Sequence, residues 1–240
     1  MNRPYLINNS QNFRHQKINR NVAIHHAGHA AAIYFNNLQK GLPPVFFQIL
    51  IASQDADFQS FQFDGNPTEP YSIKVEGGRL IPTLTSSIED TDCGFFSAQT
   101  QAYERAFEAD MTNNLVGPLA EAKYTALRDG ELMTVNLINI NALHYYGGTS
   151  DLESLNEYLD CFMPDQELKE KKISELFLAA FNFVNSRSNW QAISALADYI
   201  VAADKDAIDY DEIVTVLETA KSVSTPRLFA GYPIRMNEYA

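Results

Sequence analysis

The segment from Asn21 to Ile33 constrains this chain more than any other. Three of its five histidines, His25, His26 and His29, fall there, among residues otherwise small and apolar. On an α-helix, four residues advance about 400° and about 6 Å, so His25 and His29 stack on one face. Two imidazoles at that spacing can clasp one transition metal, and zinc is the commonest protein metal for such a pair. Val22, Ala32 and Ile33 continue the stripe, so both rings are expected to point into the core. The competing reading is a pair of ordinary core histidines with hydrogen-bonded rings.

Composition narrows the function classes. The length of 240 residues suffices for one large or two small domains, and 45% hydrophobic content with 12% aromatics is that of a folded protein. A formal charge of −12 argues against nucleic acid and against anionic membrane surfaces. The longest apolar runs, near 45–52 and 176–184, fall short of the roughly 20 residues that a span requires. The N-terminal residues lack the apolar core of a signal peptide. Cys93 and Cys161 have no metal-type spacing and are expected to be buried thiols in a reducing compartment. A soluble cytoplasmic protein is the expectation.

Along the chain, Asn19 or Asn21 is placed to cap the histidine helix, which should run over 19–38 and end at Lys40-Gly41 and Pro43-Pro44. A β region is expected over 45–87. Its strands would be Val45–Ile51, a stretch marked by Phe58, Phe61 and Phe63, and Tyr71–Val75, which a Gly77-Gly78 turn leads into Arg79–Thr85. A helical body over 97–221 follows. Its first helix, Gln99–Arg128, should kink or break at Gly117-Pro118. The pattern over 131–146 does not decide. Ser150 and Glu153 form a capping-box pattern, which puts Asp151 in a first turn where the helix dipole favours a carboxylate. Pro164 should stop that helix. Helices over Glu167–Ser186 and Asn189–Ala203 follow, the latter with Trp190, Ile193, Leu196 and Ile200 on one face. Asp209 and Glu212 form a second capping box, and 222–240 read as irregular.

Four motifs in order resemble the FtsH-type zinc peptidases. Ile24-His25-His26-Ala27-Gly28-His29-Ala30 is similar to that family's His-Glu-Ala-Gly-His-Ala helix. Gly117-Pro118-Leu119-Ala120-Glu121-Ala122 resembles its Gly-Gly-Arg-x-Ala-Glu-Glu helix. Gly147-Gly148-Thr149-Ser150-Asp151-Leu152 lines up with the Gly-Ala-Ser-Asn-Asp-Leu loop that supplies the third metal ligand. Leu196-Ala197-Asp198-Tyr199 and Tyr210-Asp211-Glu212-Ile213 are similar to the closing helices. The resemblance covers roughly residues 20–220. It departs at His26, where the family has the glutamate of His-Glu-x-x-His, and in lacking the Gly-x-x-x-x-Gly-Lys-[Ser/Thr] motif of the ATPase module.

The resemblance implies zinc held by His25, His29 and Asp151, with a fourth position open for water. Glu121 is a reserve third ligand, or a carboxylate that orients a ligand ring. His26 stands at the position of the general base, a group typically worth about 10²–10⁴-fold. An imidazole of ordinary pKa can accept that proton, but a neighbouring dication disfavours its charged form. His144 lies just ahead of the Asp151 loop and is expected to pack or face solvent. His15 is set aside.

The expected fold is α+β and mainly α: a single zincin-like helical peptidase domain over 1–240, with a small antiparallel β-sheet insertion. The expected function is that of a zinc-binding, metallopeptidase-like protein whose peptide hydrolysis is impaired at His26. The alternative is an inactive pseudo-peptidase that binds polypeptide or a partner protein. A third class is a helical interaction domain without metal. Partners under the first two are polypeptides, with a homo-oligomer left open, and neither nucleic acid nor membrane.

Overall fold

Asn19 opens the central helix: its side chain accepts from the backbone N–H of Asn21 at 2.9 Å. The computed structural model describes residues 18–53, 71–81, 97–163 and 165–224. Helix α1 (Arg20–Gln39) carries Ala23, Ala27, Ala30, Ala31 and Ala32 with no solvent exposure, beside buried His25, Ile33 and Phe35. Small residues on several faces let neighbours close in all round, so α1 is a central helix rather than one with a single buried stripe.

Helix α2 (Ser97–Arg128) packs along α1, and α5 (Arg187–Ala202) covers another side. Gly28 makes the first contact close. A Cβ there would lie 2.9 Å from Ala120 Cβ and 3.1 Å from the Val116 carbonyl. Helix α4 (Gln166–Asn185) packs on α2, and α6 (Tyr210–Ser224) packs on α5. Helix α3 (Thr149–Phe162) and a 3-10 helix (Ile140–Tyr146) lie against α2 nearer the histidines. Lys123 of α2 ties the far side together: its Nζ donates to the Val184 carbonyl at 2.9 Å and sits 4.7 Å from the Trp190 ring centre.

The sheet is small, antiparallel and ordered β2-β1-β3, with β1 at Phe47–Ser53, β2 at Tyr71–Gly77 and β3 at Ala207–Ile208. Register runs from Phe47 opposite Gly77 to Ser53 opposite Tyr71, and Ile49 pairs with Ile208. Phe47, Ile49, Ile51, Ile73 and Ile208 are buried in the hydrophobic cluster that the helices share.

The fold is therefore mainly helical with a small antiparallel sheet, as expected, but several details differ. β1 begins at Phe47, because Phe46 points out and is 83% exposed. The third strand comes from between α5 and α6, so the sheet is not a self-contained insertion. Gly77 and Gly78 turn the chain with φ of 84° and 81°. No return strand forms over 79–81, however, since Asp110 of α2 takes the Leu80 and Ile81 N–H groups at 3.0 and 2.9 Å. Helix α2 runs through Pro118 as one element. The fully buried Leu115, Val116, Leu119 and Ala120 around it hold the helix where one hydrogen bond is lost. The Ser150 cap does not form. Gly148 is the N-cap of α3 without a side-chain bond, Ser150 lies inside the first turn, and Asp151 keeps its first-turn place.

The Asp209–Glu212 box is reciprocal: Glu212 N donates to Asp209 Oδ1 at 2.9 Å and Asp209 N to Glu212 Oε2 at 3.3 Å. Cys161 is exposed rather than buried, because the core stripe of α3 is Leu155, Tyr158 and Leu159. His15, Cys93, the Phe58–Phe63 stretch, 82–85 and 225–240 lie outside the described residues. Among the described residues, no helix is long and apolar enough to cross a membrane.

Candidate metal centre

The helical period puts His25 one turn before His29, and both rings face α2 and the loop leading into α3. Their Nε2 atoms lie 3.0 Å apart. Asp151 meets them from the first turn of α3, with Oδ2 at 3.3 Å from His25 Nε2 and Oδ1 at 3.4 Å from His29 Nε2. The structure thus brings His25, His29 and Asp151 together as one group able to offer a metal three ligand atoms.

The opposite sides of the rings fix which nitrogen carries hydrogen. His29 Nδ1 lies 2.9 Å from the Asn113 carbonyl oxygen. His25 Nδ1 lies 3.2 Å from the Tyr146 carbonyl oxygen and 3.1 Å from Glu121 Oε2. Carbonyl and carboxylate oxygens only accept, so both Nδ1 atoms must donate. In neutral rings this leaves both Nε2 lone pairs aimed at each other and at a carboxylate. Three acceptors so close demand a positive charge among them.

That charge can be a proton or a metal ion. Burial works against a proton on His25, but the Asp151 and Glu121 carboxylates outweigh it and raise the His25 pKa to about 9. Burial likewise works against ionisation of Asp151, yet His29 and His25 hold its carboxyl far below the usual carboxylate range. A metal fits the same place. Zinc bonds of about 2.0–2.1 Å arranged tetrahedrally put ligand atoms about 3.3 Å apart, against separations of 3.0, 3.3 and 3.4 Å here. Two imidazoles and one carboxylate, each ring held from behind, are a donor set suited to zinc.

Glu121 lies behind His25, in contact with its Nδ1, and does not join the convergent atoms. Gly147 makes that contact feasible. It adopts φ of 70°, and a Cβ there would lie 3.1 Å from Glu121 Oε2 and 3.2 Å from His25 Nδ1. His26 is not part of the convergent group. Its ring centre lies 5.1 Å from that of His25 and 6.2 Å from that of His29, and its buried Nδ1 has no hydrogen-bond partner among the described residues. Burial, then the charges of His25 and His29, push its pKa well below the ordinary imidazole value, and Asp151 opposes this only in part. His144 is exposed, its ring against Tyr145.

Two contributors, the carbonyls of Asn113 and Tyr146, carry no sequence signal, because every residue type has that oxygen. Compared with protein-family models, with curated proteins and with solved structures, the chain matches none.

Proposed function

We propose that this chain is a zinc-binding protein of the FtsH-type peptidase class, with peptide hydrolysis impaired by the imidazole at position 26. The observation that carries the reading is the convergence of two Nε2 atoms and one carboxylate, with both Nδ1 atoms anchored behind. Bound there, zinc would supply a Lewis acid that polarises a carbonyl and acidifies water.

The chain's own groups do the rest. His25, His29 and Asp151 hold the ion, and Glu121 with the Tyr146 carbonyl fixes the tautomer and tilt of His25. His26 stays neutral, since burial and the positive charge beside it disfavour a proton on its ring. A base with so low a pKa takes up protons weakly, so this site runs hydrolysis slowly. The same property favours the second reading, in which the domain binds polypeptide without cutting it.

Polypeptide is the partner class in both readings. β2 is an edge strand of the sheet among the described residues, and an extended peptide can add to such an edge. A cytoplasmic setting completes the proposal. The deciding experiment is hydrolysis of unfolded casein by zinc-loaded wild type and by His25→Ala. Slow cleavage that the substitution abolishes supports the peptidase. Casein binding without cleavage supports the second reading, and equal cleavage by both proteins contradicts zinc catalysis.

A further inference from the structure

Gly117 sits buried in the middle of α2, with Val116, Leu119 and Ala120 fully enclosed around it. Its φ is not positive, so the backbone there suits any L residue. In such a helix interior, alanine is ordinarily preferred to glycine. Backbone preference therefore does not explain a glycine at this position.

The side chain it would carry does. A Cβ on Gly117 would lie 2.2 Å from His29 Nε2, 2.4 Å from Cε1 and 2.6 Å from Cδ2. The imidazole thus occupies the volume that any other residue would fill. Nor can the ring retreat and keep its place. His29 Nδ1 is held by the Asn113 carbonyl, one turn earlier on the same helix, at 2.9 Å. On the other side, Nε2 faces His25 and Asp151. Gly28 reinforces the fit from α1, since a Cβ there would lie 3.2 Å from Gly117 Cα.

We infer that Gly117 is a positioning residue of the metal centre, its missing side chain forming the slot that seats the His29 ring. The slot stands on the packing alone; its consequence for zinc rests on the proposed function. A methyl group at 117 turns the His29 ring away and removes one of three ligand atoms from the group.

The test is a double-mutant cycle in the full chain, with Gly117→Ala, His29→Ala and the double variant. In metal-free protein, Gly117→Ala should lower Tm while His29 is present, and leave it unchanged or raise it once His29 is alanine. Zinc affinity of Gly117→Ala should fall at least about tenfold, with the far-ultraviolet circular dichroism of wild type retained. If Gly117→Ala does not fold but the double variant does, the slot is equally supported. A raised Tm with His29 in place overturns the inference, as does failure of both variants to fold or undiminished zinc affinity. Should wild type take up no zinc, the proposed function fails, and the Tm cycle still decides the slot.

Discussion

His25 Nε2 and His29 Nε2 face each other at 3.0 Å with the Asp151 carboxylate beside them. Behind each ring, an oxygen that can only accept holds the other nitrogen. Neither feature alone marks a metal site. Together they build a pocket of lone pairs whose natural occupant is a cation.

Without metal, a proton takes that place, and this sets a dependence on pH. The His25 pKa stands at about 9, above the roughly 6.5 of an unfolded chain. The stability it contributes is fully present below pH 6.5 and is lost as pH rises through 9, on the order of 3 kcal/mol in all. Zinc requires the unprotonated ring, so its stabilising effect grows over the same window. Thermal unfolding in EDTA should therefore show Tm falling from pH 6.5 to 9, while the gap between zinc-loaded and metal-free protein widens. A gap that narrows with pH would contradict the linkage.

Glu121 should tune the centre without forming it. Glu121→Ala frees one side of the His25 ring and should weaken zinc binding by about 10–100-fold while the stoichiometry holds. Glu121→Gln keeps an accepting oxygen and should lose less. Competition with a chelating dye measures both, and complete loss of binding in Glu121→Gln would make it a ligand after all.

Position 26 should decide turnover. His26→Glu puts a carboxylate where the imidazole is held neutral, and cleavage of unfolded protein by the zinc-loaded chain should rise by about 10²–10⁴-fold. No gain, with zinc still bound, would show that the surrounding cleft lacks the geometry for hydrolysis and would favour the binding reading.

Asp110 offers a control away from the metal. It is buried and holds the Leu80 and Ile81 N–H groups against α2. Asp110→Ala strands those donors and should lower stability by about 1–3 kcal/mol in urea unfolding. Zinc stoichiometry should not change.

How much of this was legible in the sequence follows from the range of each force. The helical period alone aligns His25 with His29, and the Asp209–Glu212 box is a contact over three residues; such local chemistry reads directly. The proximity of Asp151 and Glu121 came only through a resemblance, because nothing local joins α1 to α2 or α3. Pro118 does not break α2, because its cost is local, while the packing of Leu115, Val116, Leu119 and Ala120 that holds the helix together is tertiary. Ser150 is not the cap because Gly147, in the left-handed conformation, lets α3 start two residues earlier, at the Gly148 cap. β3 is two residues long, too short to alternate. Gly117 looks like a helix breaker in sequence, and only the His29 ring beside it gives it a purpose.

Zinc K-edge X-ray absorption on the zinc-loaded chain, with metal content measured in parallel for His29→Ala, tests the central claim most directly. The account predicts one zinc per chain, bound by two imidazole nitrogens and carboxylate oxygen at about 2.0–2.1 Å, and loss of that zinc in His29→Ala. A wild type that retains no zinc, or a His29→Ala variant that retains as much with the same spectrum, would contradict it.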